Sequence, residues 1–412
     1  MDDRVRTTLD GAWRLESAKL IAGLARTVRN VNLAEELAQE AFLAALDQWP
    51  REGIPDNPGA WLTATARYRA IDALRRESRV AELHEEEAEA MVARADDSTP
   101  TPEDSLRVIF LACHPLLSAE ARSALALRLL CGLTTAEIAR AFLVPEATIA
   151  QRIVRAKSTL ADAGVTFEEL SRAELRQRLP TVLEVIYLLF NEGYAASAGA
   201  DWMRGALCEE AMRLGRVLAE LQPAEAEVHG LVALMEIQAS RFATRTDRSG
   251  RPILLSDQDR SRWDRLLIRR GLAALERALE HGGAPGFYTL QAAIAACHAR
   301  ARTPDETDWR RIAAHYDALL ELTNSPVVAL NRAVAIAMAE GAEKGLALVD
   351  ELADEPALAQ YHLLPAVRGD LLLRLGRGEE ARSEFLRAAG MAQNEREAEL
   401  LRERARRSLD SG

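Results

Sequence analysis

Apolar residues recur at three- and four-residue spacing almost from end to end of the chain. No stretch shows the strict alternation of a half-buried strand. The predicted fold class is therefore all-α. The clearest interruption is ELHEEEAEAMVARADDSTPTPED (82–104), where an acidic run gives way to Thr, Pro and Asp. Pro100 and Pro102 disfavour helix at the residues before them, so this segment is predicted to be a flexible linker. It separates an N-terminal block (1–81) from a compact helical block (105–165), and a long helical region (166–412) follows.

That last region carries a weak repeat. Segments 329–352 and 364–390 each show small residues and leucines at helical spacing, a Gly turn, and a second amphipathic helix. Their turn glycines, Gly341 and Gly376, lie 35 residues apart, close to the tetratricopeptide period of about 34. A further candidate pair covers 206–241. Helical hairpins stacked as repeats are the expectation, with an irregular bundle as the alternative. The segment YLLFNEGYAAS (187–197) reads in two ways. It is either a hinge around Asn191, Glu192 and Gly193, or the first core of the region, built from Tyr187, Leu188, Leu189, Phe190 and Tyr194.

Three segments carry candidate chemistry. In 59–80, Ala66, Ala70, Ile71 and Leu74 share one helical face, while Arg69, Arg75, Arg76 and Arg79 fall on the opposite arc. Such a helix can bury one side and offer guanidinium groups to phosphates. Trp61 and Tyr68 add surfaces on which an exposed base could stack. Residues 118–160 read as helix, turn, helix, turn, helix. Thr134 with Glu137 fits a capping box, and Pro145 suits the start of the last helix. There Ile149, Ile153, Ala156 and Leu160 share one face, and Thr148, Gln151, Arg152, Arg155 and Thr159 the other. This is the layout of a helix-turn-helix, in which Gln suits adenine and Arg suits guanine. In 31–50, Leu33, Leu37, Ala41 and Ala44 or Ala45 can face a core, leaving Glu36, Gln39, Glu40 and Asp47 for solvent or a basic partner.

Composition narrows the function classes. The 412 residues are 48% apolar and 28% charged, with 23 Gly and 15 Pro, which describes a folded chain. There are 52 Lys and Arg against 63 Asp and Glu, a net charge of -11, and neither half is basic overall. Any nucleic-acid binding must therefore come from local arcs and not bulk charge. The four cysteines lie far apart and form no CxxC motif, which suits a reducing compartment. The seven histidines form no HxxxH pair, and no phosphate loop or GxSxG motif occurs, so neither an enzyme nor a cofactor is expected. The N-terminus lacks a signal-peptide pattern and no apolar run could span a bilayer, so a cytoplasmic location without membrane contact is expected.

Taken in order, these segments resemble bacterial RNA polymerase sigma factors of the extracytoplasmic-function type, over residues 1 to about 165. AEELAQEAFLAALDQW is similar to region 2.2, which docks on core RNA polymerase. NPGAWLTATARYRAIDALRRE is similar to regions 2.3–2.4, which melt and read the −10 element. Residues 117–160 are similar to region 4, which reads the −35 element. The resemblance implies polymerase contact, with the β and β′ subunits, through Glu36, Gln39, Glu40 and Phe42. It implies −10 contacts by Trp61, Arg69, Arg75 and Arg76, with Asp72 supporting the fold and Arg67 near the apolar arc. It implies −35 contacts by Thr148, Gln151, Arg152, Arg155 and Lys157. The long extension resembles a subgroup with a fused C-terminal helical-repeat domain, which implies modulation of activity; tethering within one chain favours an intramolecular contact between the repeats and the sigma domains. The other readings of the same segments are a helix-turn-helix regulator that binds duplex DNA alone and senses a ligand through its repeats, and a repeat scaffold with a merely helical N-terminal half.

Overall fold

The computed structural model describes residues 3–80, 102–130, 132–142, 144–165, 172–194, 205–248, 251–281, 283–392 and 394–408. The protein is all-α, about 81% helical. Among the described residues no strand forms, and an isolated bridge joins Thr246 and Pro252. The expected linker falls outside the described residues up to position 101. Two compact units are distinguished, Met1–Leu188 and Leu189–Gly412.

In the first unit, α1 (Asp3–Val28), α2 (Val31–Glu52) and α3 (Pro58–Val80) pack on one another. Asn30 starts α2, its side chain accepting the N–H groups of Asn32 (2.9 Å) and Leu33 (3.2 Å). The apolar stripe of α3 is buried at Leu62, Ala66, Ala70 and Leu74, four residues apart each time, with Ile71 only half-buried at its margin. On α2 the buried positions are Ala34, Leu37, Ala38, Ala41, Ala45 and Trp49, together with one carboxylate, Glu35.

The chain resumes with α4 (Pro102–Ala112), whose Pro sits where a missing N–H costs nothing. Asp104, expected to end the linker, is instead buried within α4, where Arg26 (3.4 Å) and Arg107 (3.6 Å) compensate its charge. Next come α5 (Ala119–Leu130), α6 (Thr135–Phe142) and α7 (Glu146–Asp162). The capping box forms as the sequence predicts: Glu137 N–H donates to the Thr134 hydroxyl (3.2 Å), and Thr134 N–H donates back to the Glu137 carboxylate (2.8 Å). Pro145 precedes α7 as its N-cap. The indole N–H of Trp13 on α1 donates to Gly132 O at 3.0 Å and holds the turn before α6. Gly132 has φ +63, and a Cβ there would lie 3.0 Å from the indole nitrogen of Trp13.

The next helix, α8 (Arg172–Tyr194), is continuous through 187–194. Leu189 and Phe190 are buried, and Phe190 stacks on Tyr194 with ring centroids 5.5 Å apart. The core reading of this segment accounts for these residues, whereas Leu188 is exposed.

In the second unit, α9 (Gly205–Leu221) and α10 (Ala226–Ala239) are followed by a loop with short 3-10 turns, then α11 (Arg265–Glu280) and α12 (Phe287–Arg300). Helix α10 is buried nearly all round and packs against α9, α11 and α12. Glu227 caps α12, accepting the N–H groups of Tyr288 (2.8 Å) and Thr289 (3.2 Å). The remaining helices are α13 (Trp309–Thr323), α14 (Pro326–Glu340), α15 (Ala342–Glu351), α16 (Leu363–Arg374), α17 (Gly378–Met391) and α18 (Glu395–Arg407). Helix pairs meet at both expected glycines, α14/α15 at Gly341 (φ +115) and α16/α17 at Gly376 (φ +74). Gly345 and Gly369 let the paired helices approach, and a Cβ on Gly369 would lie 2.9 Å from the Phe385 ring.

Candidate DNA and polymerase interface

The α2/α3 pair brings Glu36 and Glu40 of the expected polymerase residues and Arg69 and Arg76 of the expected −10 residues to one groove, which Tyr68 and Asp72 also line; Gln39, Phe42, Trp61 and Arg75 are not among its lining residues. Glu36 is exposed, as are Arg75 and Arg76. Arg69 Nη1 donates to Glu40 Oε2 at 2.7 Å, so the acidic helix and the basic helix are tied to each other. Tyr68 is 72% exposed and presents a ring that a base could cover. Trp61 is half-buried, edge-on to Trp49 at 5.6 Å. Phe42 packs edge-on against Trp13 at 5.0 Å.

In α7 the apolar stripe Ile149, Ile153, Ala156 and Leu160 is buried. Gln151 and Arg155 are exposed, and Thr148 and Arg152 half-buried. Lys157 is placed differently from these. Following Ala156 and four residues after Ile153, it flanks the buried stripe, and its ammonium bonds the Glu35 carboxylate on α2.

Glu35 was not singled out by the sequence reasoning, and it joins the two halves of this unit. It is 4% exposed and accepts Arg128 Nε from α5 (2.6 Å) as well as the Lys157 ammonium and the Gln39 amide (2.5 Å). Burial pushes its carboxyl up, but Lys157 and Arg128 outweigh that and hold it below the usual glutamate value. The signal was present in the sequence: Glu35 lies between Ala34 and Leu37 on a face otherwise built of small and apolar residues. A carboxylate there needs cationic partners from elsewhere in the fold.

Residues 15–80 match the family described as Sigma-70 region 2, and residues 107–160 match Sigma-70, region 4. The chain belongs to the sigma-70 family. It carries an additional C-terminal domain, of which residues 178–279 match a family of unknown function. An uncharacterized protein of Rhizobium meliloti (strain 1021) is 46% identical to this sigma factor over 389 residues, covering 93% of this chain and 91% of the relative. No solved structure matches. Among the described residues, no helix is long and apolar enough to cross a membrane, and no group of three or more His, Cys, Asp or Glu could hold a metal ion.

Proposed function

We propose that this sigma-70 chain is of the extracytoplasmic-function type, binds core RNA polymerase and directs it to promoters from the cytoplasm. The observation that carries the reading is the α2/α3 groove, where exposed Glu36 lies beside Tyr68, Arg69 and Arg76. In this reading α2 docks on the β and β′ subunits through Glu36 and Glu40. Arg69, Arg75, Arg76 and Trp61 serve the −10 element, and the α7 residues Thr148, Gln151, Arg152 and Arg155 serve the −35 element. The C-terminal helices form tetratricopeptide-like hairpins that modulate initiation, through a contact with the sigma domains. The hairpins at Gly341 and Gly376 support the repeat reading.

In vitro transcription with core polymerase tests this. Promoter-specific initiation by the full chain is the expected result, and a chain that neither co-purifies with polymerase nor initiates contradicts it. A truncation that isolates the sigma regions is better placed at 188 than at 165. Glu184 of α8 pairs with Arg122 (3.7 Å) inside the first unit, so the shorter fragment loses part of its own fold.

A further inference from the structure

Buried charge in the C-terminal unit is generally answered by opposite charge. Glu236, 2% exposed, lies between Arg216 (2.8 Å) and Arg270 (3.4 Å). Arg368 bridges Asp350 (2.8 Å) and Glu384 (2.9 Å). The arginines around Trp263 depart from this pattern. The guanidinium carbons of Arg260 and Arg241 lie 5.2 and 5.9 Å from the centre of that indole ring. Arg260 is 4% exposed. Its terminal nitrogens donate only to neutral oxygens: His298 O (3.0 Å), Ala301 O (3.1 Å) and the Thr307 hydroxyl (3.1 Å). Arg241 donates to the Tyr194 hydroxyl (2.6 Å) and to Gln238 (3.5 Å). Among the described residues, no carboxylate lies within ion-pair distance of Arg241 or Arg260. Glu306 is the acidic group that acts on Arg260, and it accepts the Arg302 N–H instead (2.9 Å).

Four buried nitrogens in this cluster have no hydrogen-bond partner: Arg241 Nε, Arg260 Nε, Trp263 Nε1 and His298 Nδ1. Three are obligate donors, and the fourth can donate in one tautomer of the neutral ring. Burial together with Arg241 and Arg260 pushes His298 down to about 3, so the imidazole stays neutral near pH 7. Buried donors are ordinarily satisfied, and a set of them left together calls for an acceptor. Two positive charges that face no carboxylate call for an anionic one. Arg241 and His298 are half-buried, whereas Arg260 and Trp263 are buried.

We propose that Arg241, Arg260, Trp263 and His298 form a binding site for a small oxyanion, a phosphate or carboxylate group, in the C-terminal unit. Arg241 and Arg260 supply the charge, and Trp263 and His298 add neutral donors. Every residue of the site belongs to Leu189–Gly412, so anion binding can be tested without initiation.

Isothermal titration of the full chain with inorganic phosphate, and separately with acetate, at constant ionic strength tests the site. The expected result is saturable binding of at least one anion, one per chain; the tighter of the two identifies the group the site takes. Arg241→Gln is expected to weaken binding by about tenfold or more, the usual value of a hydrogen bond to a charged group. Trp263→Phe removes the indole N–H together with the five-membered ring that carries it, and is expected to weaken binding severalfold while the helical circular dichroism is retained. Should Arg241→Gln fail to fold, Trp263→Phe decides. The proposal is overturned if neither anion binds saturably, or if the folded variants bind like the parent.

Discussion

At the scale of single residues, Glu35 is the most consequential position in the first unit. Replacing it with Gln leaves Arg128 and Lys157, side chains about one-fifth exposed, facing each other without their shared anion. A loss of about 1–3 kcal/mol in urea unfolding is expected, because removing the shared acceptor leaves largely buried donors unsatisfied. Its folded pKa is lowered from the usual 4.5, so its stabilisation is complete above that value and is lost as pH falls through the lower folded value. The parent is therefore expected to lose stability in that acid range more steeply than Glu35→Gln, as acid titration followed by circular dichroism would show. Glu36 and Glu40 now separate as probes. Glu36→Lys reverses an exposed charge and is expected to weaken polymerase pull-down with little change in folding. Glu40→Lys also ejects Arg69 from its 2.7 Å bond, so it is expected to impair promoter melting as well. Equal behaviour of the two variants in permanganate footprinting would contradict that separation.

At the scale of elements, the proposed function has α7 divide its polar residues between two tasks. Gln151→Ala or Arg155→Ala is expected to cost about 1–3 kcal/mol at one −35 position if the side chain reads a base, or to weaken all promoters alike if it holds phosphate. Lys157→Ala is expected to act first on stability, through Glu35. Promoter-variant transcription beside urea unfolding distinguishes these outcomes. In the second unit, α10 and α12 meet at Gly230, where an added Cβ would lie 2.7 Å from the Thr289 backbone nitrogen. Gly230→Ala is therefore expected to push the helices apart and to lower the unfolding midpoint of that unit by several degrees. The helix faces were legible in the sequence because period alone fixes them: Ile149, Ile153, Ala156 and Leu160 in α7, and Ala66, Ala70 and Leu74 in α3, are buried where the wheel puts them. Period could not place Lys157, which borders the stripe and takes its direction from a carboxylate some 120 residues earlier in the chain. Nor could it find the Trp263 cluster, whose members come from the loop between α10 and α11 and from α12 and meet only in the folded unit.

At the scale of the whole molecule, the sigma regions fold with α7 attached to α2, whereas promoter elements centred near −35 and −10 lie about 25 base pairs, roughly 85 Å, apart at 3.4 Å per pair. Helices joined by an ion pair cannot occupy two sites at that separation, so on the proposed function, with α3 at −10 and α7 at −35, the Glu35 link is expected to open. On that reading the link would be one side of an equilibrium between a folded-back chain and a chain long enough for a promoter. Polymerase and DNA can draw on the extended form only to the extent that it is populated. While the folded-back form dominates, each loss of about 1.4 kcal/mol from the link multiplies the extended fraction about tenfold. Glu35→Gln is accordingly expected to move two measurements in opposite directions, lowering the urea midpoint while raising initiation at limiting polymerase. If both measurements move so, one carboxylate works as a set-point: its strength decides how much polymerase the chain must meet before it can span a promoter.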